Sequence, residues 1–160
     1  MAFDWDFFLA HAGADLSQAE ELYGYLKDHA HVFLDSRALL FGDPWDIKLA
    51  KAQKASLITL VLVSAKTEEA YYQREEIAAA IAMAREDETK HRVIPIYLDD
   101  PDQPNTYVPY GLRLRHGIHL SGTVSLRSTA AELLEQLPKI KASIGGSVPS
   151  PVAPLPGTTA

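Results

Sequence analysis

The chain is 160 residues long, 47% hydrophobic and 22% charged, with a formal net charge of -6 and no cysteine. This is one domain's worth of ordinary globular sequence, long enough to bury its own core. The missing cysteines exclude disulfides, a thiol nucleophile and cysteine-based metal centres, and the acidic balance argues against nucleic-acid binding by phosphate neutralisation or a polybasic membrane contact. Met1 to Asp6 carries acids where a signal peptide carries Lys or Arg, and the longest apolar run, Leu57 to Val63, is broken by Thr59. That run is far short of the ~20 residues of a spanning helix, so a cytoplasmic protein is expected.

Along the chain, patterns of strand and helix alternate. Phe7 to Ala10 reads as a short strand ending at the turn His11-Ala12-Gly13. Asp15 opens a helix, with Gln18 three residues on as in a capping box, and Leu16, Ala19, Leu22, Tyr23 and Leu26 follow at helical spacing. Val32 to Leu34 reads as a second strand closed by Asp35-Ser36, followed by a loop, Arg37 to Gly42. Pro44 suits the first turn of a helix that Ile47, Leu49, Ala50 and Gln53 continue. Leu57 to Val63 is apolar on both faces, as a central parallel strand is. Thr67 to Arg85 reads as a long helix, Val93 to Leu98 as a fourth strand, Asp99 to Gly117 as a long loop and Ile118 to Leu120 as a short edge strand. Ser125 to Ala142 predicts a last helix that Pro138 threatens to end early. The tail, Ser143 to Ala160, holds four of the ten prolines and no charge, and reads as a flexible linker or tail after a domain spanning 1–142. The alternation predicts an α/β fold, a doubly wound parallel sheet of about five strands with helices on both faces.

In such a sheet, ligands bind beyond the C-terminal strand ends, here Ala10-His11-Ala12-Gly13, Asp35-Ser36, Ser64-Ala65 and Asp99-Asp100. No Walker loop, Rossmann fingerprint or nucleophile elbow is present. A phosphoacceptor receiver needs acids after the first and third strands, where His11-Ala12 and Ser64-Ala65 stand instead. At ~100° per residue, Ile77, Ala80, Ile81 and Ala84 share the core face of the long helix. Glu75 then points about 170° away from that face, and Glu76 about 90°, at the border of the buried stripe, with Tyr72 one turn before it. A carboxylate at that border, near the strand-end crevice, is placed to be partly desolvated; a half-exposed, solubilising helix acid fits the same spacing. His116/His119 and His29/His31 lack a third ligand at recognisable spacing, and Asp99, Asp100 and Asp102 read as a solvated acidic loop, so no metal is expected.

Taken in order, these segments resemble a TIR (Toll/interleukin-1 receptor) domain over about residues 3–140. Asp6 to Ala12 with Asp15 is similar to the first box, and Val32 to Asp35 with Leu40-Phe41-Gly42-Asp43-Pro44-Trp45 to the second box and its BB loop. Ala55-Ser56 running into Leu57–Ser64 resembles the third strand, Tyr72 to Ile77 the aromatic-x-x-x-Glu helix motif, and Val93-Ile94-Pro95-Ile96 the fourth strand. The resemblance implies the flavodoxin-like three-layer TIR fold. It also implies NAD⁺ glycohydrolase activity, with or without cyclisation of ADP-ribose, in prokaryotic immune defence. Glu76 takes the catalytic place, and NAD⁺ is the substrate rather than a cofactor. Substrate contacts fall by resemblance on Ala10, His11, Ala12, Asp35, Leu40, Trp45, Ser64 and Tyr72. The implied partners are further copies of the chain, joined through the BB loop from Arg37 to Trp45, and a sensor domain fused after the tail. Ala10 stands where the family more often has Ser and Tyr72 where it has Trp, and the family's aromatic-cysteine pair is absent. Two other functions fit the resemblance: a TIR–TIR scaffold without activity, and a nucleoside deoxyribosyltransferase-like enzyme with a nucleophilic glutamate.

Overall fold

The computed structural model describes residues 3–35, 42–65, 67, 71–86, 91–98, 112 and 114–143, with only the backbone at residues 45, 46, 71–75 and 85. Leu40, the loop Arg37 to Phe41, most of the Asp99 to Gly117 loop and nearly all of the tail lie outside the described residues, as do the side chains of Trp45 and Tyr72.

Five strands form one parallel sheet: β1 (Trp5–Ala10), β2 (Val32–Phe33), β3 (Ser56–Val63), β4 (Arg92–Tyr97) and β5 (Ile118–His119), in the order β2-β1-β3-β4-β5. The helices are α1 (Leu16–Leu26), α2 (Trp45–Lys54), α3 (Tyr71–Glu86) and α4 (Leu126–Ala142). A short 3₁₀ turn, Gly13–Asp15, leads into α1. β3 lies between β1 and β4 and all eight of its residues are buried, which accounts for its apolar character on both faces.

Alternation along the strands sorts side chains into two cores. Phe7 and Leu9 join Leu22 and Leu26 of α1 and Leu133 and Leu137 of α4 on one face. Phe8 and Ala10 join Leu49 and Ala52 of α2 and Ile77, Ala80 and Ala84 of α3 on the other. The sheet is therefore covered on both sides, as the alternating patterns predict.

The structure departs from the sequence expectations at several helix ends. Asp15 does not cap α1 in a box with Gln18; its side chain makes no capping bond. Its carboxylate is buried and accepts the Ser64 hydroxyl instead. The capping box stands at the start of α4, where Ser125 and Ser128 cap each other. Pro44 is the N-cap of α2, directly before its first turn, and Ile47 lies within the helix with its side chain 64% exposed. Thr67 precedes α3 in a tight turn: its amide donates to the Ser64 carbonyl and its hydroxyl accepts the Ser64 amide. Pro138 does not end α4, because Leu137 and Ile140 on either side of it are buried in the core and hold the last turns in place.

Candidate active site

The strand order reverses direction between β1 and β3, since the chain runs outward from β1 to β2 and then crosses back to β3. Beyond the C-terminal ends of those two strands lies the crevice where open parallel sheets bind ligands. β1 delivers His11 and Ala12 to it, β2 delivers Asp35, and β3 delivers Ser64.

The His11 ring is 7% exposed. Its Nδ1 lies 2.8 Å from the Ala12 carbonyl oxygen and its Nε2 3.3 Å from Asp35 Oδ1. Burial pulls the proton affinity of His11 down. The Asp35 hydrogen bond, the Ala12 carbonyl and the charges of Asp35 and Glu76 together outweigh it, so the net shift is upward.

Glu76 is half-buried on α3, one residue before the fully packed Ile77. Burial, and after it the Asp35 carboxylate, push its carboxyl up to about 8, against a smaller downward pull from His11. The three groups come from β1, β2 and α3, and each lies within electrostatic reach of the other two. The α3 backbone is pinned at this point: the buried Gln53 of α2 donates from Nε2 to the Glu76 carbonyl oxygen at 2.7 Å.

A second contact set frames the crevice. The Ser64 hydroxyl donates to Asp15, and its amide donates to Thr67 Oγ1 at 3.0 Å. The end of β3 is thereby tied to the turn before α1 and to the approach to α3.

Of the residues expected at the site, His11, Asp35 and Glu76 form one electrostatic cluster. Ala12 contributes its carbonyl and is itself 2% exposed, and the Ser64 hydroxyl is committed to Asp15. The Ala10 methyl is closed to solvent in the core beside Phe8 and Val61, so it ends the strand without offering a surface to a ligand. Leu40 and the side chains of Trp45 and Tyr72 lie outside the described residues. Gln53 and Thr67 were not singled out by their sequence. A glutamine on an apolar helix face is the only trace that Gln53 leaves, and Thr67 reads equally well as a first helical residue. Among the described residues no three His, Asp or Glu side chains converge as metal ligands.

A family model of the TIR domain matches residues 7–137. The chain belongs to the TIR domain family. Solved structures carry the same fold at low sequence identity. The TIR domain of the Toll-related receptor TRR-2 from Hydra magnipapillata matches at 17% identity and a TM-score of 0.55, covering 86% of this chain and 98% of that one. The TIR domains of the activated Roq1 resistosome, which recognises the pathogen effector XopQ, match at 22% identity and a TM-score of 0.57, covering 91% and 87%. A TIR-STING receptor from C. gigas, solved with 2′,3′-cGAMP, matches at 16% identity and a TM-score of 0.64. That match covers 94% of this chain but only 42% of the receptor. No curated protein matches the sequence. Among the described residues of this TIR domain, no helix is long and apolar enough to cross a membrane.

Proposed function

We propose that this TIR domain cleaves the nicotinamide–ribose bond of NAD⁺, with Glu76 as the catalytic carboxylate and self-association as the activating event. The observation that carries the reading is the placement of Glu76: a half-buried carboxyl at the β1/β3 switch point, held above neutrality by burial and by Asp35. Perturbed acids in a crevice are where chemistry concentrates.

The bond to be broken asks for one such acid. Nicotinamide leaves NAD⁺ as a neutral ring from a positively charged nitrogen, so no general acid is needed. The site must supply negative charge beside the ribose as an oxocarbenium ion develops, and acceptors for the ribose hydroxyls. A single carboxylate in a water-poor crevice meets both needs in its ionised form, which burial makes the minor form below about pH 8, so the reaction is expected to speed up as pH rises toward that value. Support for a role in immune defence comes from the family and from the receptor and resistosome among its structural relatives. Association through the segment from Arg37 to Trp45, a sensor joined after the tail and release of a linear or cyclic ADP-ribose belong to the same reading.

The test incubates the protein over a range of concentrations with NAD⁺ and, separately, with a deoxynucleoside, and resolves the released base and sugar products. Nicotinamide release is expected, rising more steeply than protein concentration. Glu76→Gln is expected to lower it by about 100-fold or more, and Glu75→Gln to leave it largely intact. Full release by Glu76→Gln overturns the assignment. Release of base from the deoxynucleoside alone points to transferase chemistry, and no release at any concentration leaves a scaffold.

A further inference from the structure

Gln53 lies near the end of α2 with 4% of its surface exposed, and its side-chain amide donates from Nε2 to the Glu76 carbonyl oxygen at 2.7 Å. α3 does not need this bond to form. Inside an α-helix each carbonyl already accepts the amide four residues on, which for Glu76 is that of Ala80, and the second lone pair of the oxygen takes the glutamine. Burying an amide costs free energy, and one bond to an oxygen that already has a partner gains little of it back. Leu49 and Ala52 of α2 share an apolar cluster with Ile77 and Ala80 of α3. Methionine, as long as glutamine and without its amide, suits such surroundings, so stability alone does not account for the glutamine.

The donor side of the bond is anchored. The hydroxyl of Ser56, the first residue of β3, donates to the Ala52 carbonyl at 2.7 Å, and the Ala55 carbonyl accepts the Asp4 and Trp5 amides at 2.8 and 3.1 Å. The residues flanking Gln53 are thereby fixed to the starts of β1 and β3. On the acceptor side, no hydrogen bond reaches the Glu76 carboxyl among the described residues, so its place there follows from the backbone that carries it. Helical carbonyls point toward the C-terminus, whereas the Cα–Cβ bond tilts toward the N-terminus. α3 enters from the Ser64–Thr67 turn, at the crevice end of β3. Gln53 therefore holds Glu76 from the side away from the crevice, without touching its carboxyl.

We propose that Gln53 is a positioning residue for the reaction: its bond to the Glu76 carbonyl fixes α3 at the depth that brings the carboxyl to the nicotinamide–ribose bond. The proposal rests on the NAD⁺ reading above and deepens it by naming a residue that acts through Glu76. A reacting group works only within about half an ångström of its productive place, and a displacement of about 1 Å costs on the order of 100-fold in rate. Apolar packing alone lets neighbouring helices slide by small amounts, while a hydrogen bond constrains distance and direction together.

Two measurements on the full chain test this. The first needs no substrate. An NMR correlation through the hydrogen bond, from the Gln53 side-chain amide to the Glu76 carbonyl carbon, is expected in the wild type. Relaxation of the Glu76 side-chain methylene groups is expected to show them ordered there. They should be looser in Gln53→Met, which has no donor, and in Gln53→Asn, whose amide is one methylene too short. Absence of the correlation, or Glu76 methylenes that keep their order in both variants, overturns the proposal whether or not NAD⁺ is the substrate.

The second measures nicotinamide release against NAD⁺ concentration, alongside the melting temperature of each protein. Gln53→Met is expected to lower kcat by about 10- to 100-fold, to leave KM within about twofold, and to melt no lower than the wild type. Thr59→Val is the control. It loses the bond of the Thr59 hydroxyl to His91 Nε2, 3.0 Å away inside the sheet, and is expected to melt lower at unchanged kcat. A glutamine that served only the fold would share the pattern of Thr59→Val. That pattern in Gln53→Met and Gln53→Asn overturns the proposal, and so does a change confined to KM. If the NMR results hold but the wild type releases no nicotinamide at any protein concentration, the NAD⁺ reading fails. The role of Gln53 in the reaction falls with it, while its hold on Glu76 stands.

Discussion

Glu76 is bound to cost stability when it ionises, because its folded environment favours the neutral acid. The sign follows from linkage. A carboxyl that titrates near 4.5 in the unfolded chain and about 8 in the folded one holds an extra proton when folded between those values. Its contribution is therefore complete below pH 4.5 and is lost as pH rises through about 8. Glu76→Gln removes that dependence. Its melting temperature is expected to exceed that of the wild type, with a gap that widens from pH 5 to pH 9 in thermal melts followed by circular dichroism. His91 behaves oppositely. It is buried at the start of β4, with Nδ1 donating to the Ser56 carbonyl and Nε2 accepting the Thr59 hydroxyl. Burial lowers its proton affinity despite the backbone bond. Its contribution is therefore present above pH 6.5 and lost as pH falls through its lowered folded value. Thr59→Val leaves Nε2 buried and unsatisfied, at a cost of about 1–3 kcal/mol readable in urea unfolding. Thr129 is the reverse case. Its hydroxyl is buried in α4 without a hydrogen-bond partner, so Thr129→Val is expected to be neutral or stabilising by up to ~1 kcal/mol in the same assay.

The elements show which patterns carried their own instructions. α3 was legible because Ile77, Ala80, Ile81 and Ala84 repeat at the spacing of one buried face, and all four are buried. The same repeat put Glu76 at the border of that face. β3 was legible because a run of eight buried residues has few alternatives. The capping expectation at Asp15 failed because a local pattern does not reveal that a serine 49 residues away will offer a better-buried partner. β5 depends on a contact that no local pattern encodes. A Cβ on Gly117 would fall 2.5 Å from the Pro95 carbonyl oxygen and 2.6 Å from its ring, so the strand approaches β4 only with glycine there. Gly117→Ala is expected to lower stability by about 2 kcal/mol or more. Hydrogen exchange should show the loss first in the two residues of β5, which pair with Ile96 and Tyr97.

At the scale of the whole molecule, one ion pair joins the last helix to the first strand. Lys141 Nζ lies 3.0 Å from Asp6 Oδ1, a charge contact rather than an aligned hydrogen bond, while Asp6 Oδ2 accepts the His31 amide at 2.8 Å. Asp6 is 1% exposed, so removing the lysine strands a buried charge. Lys141→Met is expected to destabilise the domain by about 2–4 kcal/mol. The paired variant Asp6→Asn/Lys141→Met should recover much of that loss, which a double-mutant cycle of unfolding free energies would measure.

The sequence by itself determined the fold class, the order of the elements and the face of α3 on which Glu76 sits. Hydrophobic periodicity is a local property, and burial obeys it wherever an element has a core to face. Only the tertiary structure decided the chemistry of the crevice. His11, Asp35 and Glu76 lie 24 and 41 residues apart along the chain, and their proton affinities are set by burial and by each other's charges. Those quantities exist only once β1, β2 and α3 have been brought to the same end of the sheet.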